Sequence, residues 1–203
     1  NRYSGSSKLV KGDWERAISI FRASYTFVTQ SRDYLPDPIG AVLWYGADCA
    51  HSTAFVPFYC GMSDLPKSYQ IGNQKELDRN AAWWAFNYVS NLADLKFNYM
   101  IKDIQAKQRE VEGKEFIMQP IIEQTALELY KKDPAQAISF LTQYCSDNAD
   151  SVYKQWWDLA DYLMVKYQDG YVNIPNVATS VGYPDWWLKA VEIAPILYQK
   201  PAK

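Results

Sequence analysis

FRASYTFVTQSRDYLPDPIGAVLWYG, residues 21–46, decides the fold class. Phe21, Ala23, Tyr25 and Phe27 alternate with Arg22, Ser24 and Thr26. Successive side chains on a strand point to opposite faces, so this alternation predicts a strand over about 17–30 with an apolar, packed odd face and a polar even face. Leu35-Pro36-Asp37-Pro38 then interrupts the ladder, because two prolines withdraw two donors and restrict the residues before them. Apolar runs over 39–46 and 52–60 predict a second and a third strand, both covered on both faces and joined at hairpin length by Gly46–His51. Pro57 inside the third run argues for an edge position or a bulge.

Beyond residue 72 the pattern turns helical. Asn73 and Glu76 are spaced as a capping pair, and Phe86, Val89, Ala93, Phe97, Met100 and Ile104 advance by threes and fours as one buried stripe. Gly113 is expected to end that helix. Further helices are expected over 120–132, over 134–143 after the Asp133-Pro134 cap, and over 149–166 beyond a bend at 146–148. A loop through Asn173-Ile174-Pro175 leads to a last short helix over 185–191. The expected class is α+β, as one unit: a strand-rich part over 1–72, then a helical part over 73–203.

Composition narrows the function classes. With 48% apolar and 22% charged residues the chain has a globular profile, and its formal net charge of −2 gives no footprint for nucleic acid. No apolar run reaches the roughly 18–20 residues of a membrane span. Aromatic residues, at 16%, imply wide contact surfaces inside the chain or against a partner. Cys49, Cys60 and Cys145 form no CxxC pair, which argues against a disulfide framework.

The residues offer little complete chemistry. His51 is the single histidine and is placed in a turn, so a histidine metal site or a Ser-His-Asp triad has nothing to build on; no metal and no cofactor are expected. Cys49 and His51 lie two residues apart in one turn, an arrangement that seldom gives nucleophile-to-base geometry. The polar strand face bears Arg22 and Ser24, and if it borders a groove Arg22 is available to hold a carboxylate or carbonyl.

Set in order, Ile18–Tyr25, Gln30-Ser31-Arg32, Leu35–Gly40, Val42-Leu43-Trp44, Ser52-Thr53 and Pro57–Gly61 resemble the late-strand region of the bacterial dipeptidase A and secernin family. The likeness continues through Asn91–Leu95 and Met100–Ile104, and more weakly to Gly182–Trp187. The resemblance implies an N-terminal-nucleophile hydrolase, in which two antiparallel sheets lie between helical layers and an amino-terminal cysteine attacks a dipeptide, its own α-amino group serving as base. Residue 1 is Asn, so the resemblance implies that this chain is the carboxy-terminal portion, that its partner is the amino-terminal half of the same enzyme, and that no catalytic residue lies here. It also makes Arg22, Ser24, Gln30 and Arg32 the candidates for holding a dipeptide substrate. Alone, the chain is expected to be inactive, its strand edges covered by local helices or by further copies of itself. The rival expectation is a non-catalytic peptide- or glycan-binding module, or a scaffold, using the aromatic surface.

Overall fold

The computed structural model describes residues 17–191; Asn1 lies outside them. Contacts divide the chain into two compact units, Asn1–Leu163 and Met164–Lys203. The protein is α+β, as its periodicities require.

In the first unit, three antiparallel strands form one sheet in the order β1 (Tyr25–Ser31), β2 (Ala41–Ala47), β3 (Val56–Tyr59). Pro57 sits in β3 at the sheet edge, where its missing N–H costs no ladder bond. The first strand starts at Tyr25 rather than near residue 17, because the chain turns at 20–23, where the Ala23 N–H donates to the Ile20 carbonyl at 3.0 Å. Between β1 and β2 the proline pair makes a single helical turn, α1 (Asp37–Gly40). Gly40 is required there, since a Cβ would lie 2.5 Å from the Arg32 carbonyl oxygen.

The burial of β1 inverts the expectation. Tyr25 and Phe27 on the odd face are 57% and 54% exposed, whereas on the even face Thr26 and Gln30 are half-buried and only Val28, at the groove described below, is as exposed, at 57%. Register explains it: Gln30 pairs with Val42 and Val28 with Trp44, so the even face continues into the side of β2 on which Trp44 meets Phe116. A second correction concerns β2, which alternates buried and half-buried positions instead of being covered throughout.

One helix accounts for that covered face. Residues 97–132 form a single α4 (Phe97–Lys132), running through both Gly113 and Pro120. Pro120 is exposed, so the hydrogen bond it removes is lost on a side where water can replace it. Buried Met100, Ile104, Val111, Ile122 and Ala126 hold the helix together across both interruptions. The stretch 73–81 is not helical; the chain turns at Asp78–Asn80, and α3 (Ala82–Leu95) begins afterwards. The next helix, α5 (Pro134–Tyr167), likewise shows no bend at 146–148, because Cys145, Ala149, Val152, Trp156 and Leu159 form one unbroken buried stripe. Another single turn, α2 (Lys67–Gln70), brings Tyr69 edge-on to Tyr45 and Phe58.

A polar seam pins α4 to the sheet. Arg32, between β1 and α1, donates from Nη1 to Glu123 Oε2 at 2.6 Å and from Nε and Nη2 to the Gly40 and Ile39 carbonyls at 3.2 Å. The other oxygen of Glu123 accepts from Tyr59 Oη at 3.1 Å and from Gln119 Nε2 at 2.9 Å.

The second unit contains the hairpin β4 (Tyr171–Ile174) and β5 (Val177–Ser180), where a plain loop was expected. Its turn is Pro175-Asn176, with Asn176 at φ 68°, a left-handed conformation that asparagine tolerates. The short α6 (Asp185–Ala190) follows, with Tyr183 stacked on Trp187 at 4.6 Å.

Removing one partner of a buried ion pair leaves an uncompensated charge, so Arg32→Met is expected to cost on the order of 3 kcal/mol, while Arg32→Met combined with Glu123→Met recovers most of that loss. Chemical denaturation of the four proteins of this double-mutant cycle measures both effects.

Candidate functional site

Of the four expected substrate-holding residues, two meet and two stand apart. Arg22 and Ser24 are exposed in the segment before β1. The Ser24 carbonyl accepts from the Asp48 N–H and from Trp83 Nε1, both at 3.0 Å, which fastens this segment to α3. Gln30 and Arg32 belong to the seam under α4. Arg32 is fully used in holding Glu123 and two carbonyls, and its side chain is only 9% exposed.

Gln30 borders an open groove of about 500 Å³ beside α4, within the roughly 300–1,000 Å³ of small-molecule sites. Val28, Trp44, Phe55 and Phe116 make its walls apolar, and Gln30, Gln119 and Glu112 supply the polar groups. Gln30 Oε1 accepts from Trp44 Nε1 at 3.3 Å and from Gln119 Nε2 at 2.9 Å. Those bonds leave the Gln30 amide N–H groups and the Gln119 carbonyl without partners among the described residues. A side-chain amide donor beside an amide acceptor is the complement of a peptide group. Glu112 accepts from the Phe55 N–H at 3.2 Å and from Gln108 at 3.3 Å, while burial raises its carboxyl above the ordinary range. Gln119 and Glu112 come from a helix some ninety residues further on, and no local pattern marks them.

A second cluster lies at the β2–β3 connection. Asp48 takes a left-handed φ of 65°, which turns the chain so that Cys49 Sγ comes within 3.7 Å of His51 Nε2. The two side chains therefore come into contact. Cys49 Sγ also lies 3.1 Å from both Ser52 Oγ and Ser90 Oγ and 3.4 Å from Asp48 Oδ2, while Asn87 Nδ2 donates to Asp48 Oδ1 at 3.1 Å. Ser19 Oγ contacts His51 Nδ1 at 2.8 Å.

This cluster does not make an activated nucleophile. Cys49 is 0% exposed, and burial pushes its thiol pKa up, outweighing the two serine hydroxyls. Burial likewise holds the His51 imidazole below its ordinary value, against Asp48 and Asp94. Both groups are thus driven towards neutrality, the reverse of a thiolate–imidazolium pair. Cys145 is also fully buried, its thiol pushed up to about 12 chiefly by burial. Cys60 is exposed, but no acid–base side chain bonds to it among the described residues. Among those residues no group of side chains could hold a metal ion, and no helix is long and apolar enough to cross a membrane.

The profile of peptidase family C69 matches residues 2–110, more than half of the chain, and takes in all three strands of the sheet, α3 and the first part of α4. No curated protein matches the chain.

Brief treatment of the native protein with iodoacetamide, read by peptide mass spectrometry, is expected to label Cys60 at least tenfold faster than Cys49 or Cys145. In denaturant the three should react at similar rates.

Proposed function

This chain belongs to peptidase family C69, a family of dipeptidases among the cysteine peptidases of N-terminal-nucleophile type, and we propose that it forms the carboxy-terminal part of such a dipeptidase, whose attacking thiol lies on a preceding segment. That it is a peptidase follows from the family. The dipeptide substrate, the position of the thiol and the missing half are the proposal.

The observation that carries it is the state of the thiols together with the exposed aromatic rings of β1. Two described cysteines are sealed from solvent with raised pKa values, and the third has no bonded base. Meanwhile Tyr25, Phe27 and the half-exposed Leu43 and Tyr45 form an apolar patch on the sheet face away from α4. An unmatched aromatic face of this kind marks a surface built to be covered. A second sheet stacked there would complete the layered arrangement of such hydrolases.

In that arrangement the amino-terminal thiol passes its proton to the adjacent α-amino group and attacks the dipeptide carbonyl. The tetrahedral intermediate expels the amine as its leaving group, and water then hydrolyses the thioester. This chain contributes binding beside β1, an edge strand round which the thiol-bearing segment must reach: Gln30 and Gln119 offer a donor and an acceptor to the peptide group, and Trp44, Phe55 and Phe116 take an apolar side chain. Exclusion of water by these rings strengthens both hydrogen bonds.

Two measurements test the proposal. In the enzyme carrying its preceding segment, a thiol-directed substrate analogue is expected to label an upstream cysteine and to leave Cys49, Cys60 and Cys145 unmodified; stoichiometric labelling of Cys49 would overturn it. Gln30→Ala and Gln119→Ala are each expected to raise KM for a dipeptide about tenfold, the loss of one buried hydrogen bond, with a smaller change in kcat.

A further inference from the structure

Between α4 and α5 lies a second groove, of about 480 Å³, with a carboxylate at its base. Glu115 is only 3% exposed, yet it lines this space. It accepts from Asn148 Nδ2 at 2.7 Å and from Tyr144 Oη at 3.4 Å, both neutral donors on α5. Among the described residues no basic side chain pairs with it; neighbouring Lys114 donates instead to Glu110 at 2.7 Å. A carboxylate buried without a cation is costly, and such a group in a cleft is a mark of function.

The surroundings say what would repay that cost. Met118 and Phe140 supply apolar surface, and Asp147 adds a second acidic side chain at the groove, where Gln143 donates to it at 2.8 Å. An anion would meet two acidic residues here, and a purely apolar guest would leave Glu115 unpaired. A compact ammonium beside an apolar group satisfies both.

We propose that this groove binds an α-ammonium group carried next to an apolar side chain, with Glu115 as its counter-ion. The amino terminus of a short peptide and a free amino acid share that chemistry. The residues at the groove, 114–148, lie beyond residues 2–110 matched by the peptidase family, and occupancy is read by binding rather than by hydrolysis.

The pH dependence follows from the charge state. Burial, the largest cause, raises the Glu115 carboxyl to about 7; Asn148 and Tyr144 pull it down, and Glu112 on α4 pushes it up. From α2 the Tyr69 hydroxyl, buried and unpartnered among the described residues, and from α5 the Cys145 thiol both feel its charge, as does Tyr144. Asp147 and Lys114 face the groove from α5 and α4. Protonated Glu115 cannot serve as counter-ion, so affinity for an ammonium is expected to climb as pH rises towards about 7 and to fall again once the ligand's own α-ammonium, with a pKa of about 8, loses its proton. The same shift has an opposite sign for stability without ligand. A carboxyl raised in the folded state contributes most at low pH, and that contribution fades between its unfolded value and about 7.

Titration calorimetry with leucinamide, leucine and N-acetyl-leucinamide tests the proposal. Leucinamide is expected to bind saturably, about fivefold more tightly at pH 7.5 than at pH 6, with release of a proton at pH 6. N-acetyl-leucinamide, which lacks the ammonium, should not bind. Leucine binding as well as leucinamide identifies the free amino acid as a ligand, and its failure points to a peptide amino terminus. Glu115→Gln, which keeps the shape and the Asn148 bond, should retain the melting cooperativity and lose leucinamide binding at least tenfold. Equal binding by Glu115→Gln, binding of the acetylated compound, or no saturable binding of leucinamide at pH 7.5 would overturn the proposal. Should Glu115→Gln fail to fold, carboxyl NMR of the unmodified protein decides instead: leucinamide must lower the Glu115 titration midpoint, and an unmoved midpoint counts against the site.

Discussion

Arg32 and Glu123 lie 91 residues apart, and their contact ties α4 to the β1–α1 connection and, through Tyr59, to β3. Arg32 is anchored by two carbonyls of α1, while Glu123 is held by Tyr59 from β3 and by Gln119 from its own helix. The pair therefore fixes a long helix across three strands at once. Because both partners are nearly sealed from water, a shift of α4 by one turn would leave two unpaired charges inside the protein. That penalty makes the register of helix on sheet close to unique.

Two surfaces follow from this placement. On the side that α4 covers, its flank and the even face of β1 enclose the groove with Gln30, Gln119 and Glu112. On the other side, Tyr25 and Phe27 are left uncovered. The same constraint thus yields both an open groove and an exposed pair of aromatic rings.

How much of this the sequence discloses depends on the range of the interaction. Period-2 alternation correctly places Tyr25 and Phe27 on one face and Thr26 on the other, and Pro57 correctly marks an edge strand. Periodicity does not say which face is covered, because that is settled by α4. Apolar rings are the ordinary signature of a core, so β1 reads inside out. Gly113 and Pro120 read as helix ends for a similar reason: local propensity opposes the helix, and buried Val111 and Ile122 on either side override it. At Cys49 the obstacle is conformational. Spacing alone does not show the contact that the left-handed turn at Asp48 brings about, nor Ser90, which joins the thiol from 41 residues away. Gln30 and Arg32 stand in the recognisable segment, whereas their partners Gln119 and Glu123 sit on an otherwise ordinary helix face.

The central claim is that the aromatic face of the sheet is a seat for the part of the enzyme bearing the nucleophile. Hydroxyl-radical footprinting of Tyr25 and Phe27, compared between the 203-residue chain alone and the enzyme with its preceding segment, addresses it most directly. The account predicts strong modification of both rings in the shorter protein and at least a fivefold reduction in the longer one, with Tyr34, 76% exposed and off the sheet, modified equally in each. Equal modification of Tyr25 and Phe27 in the two proteins would contradict it.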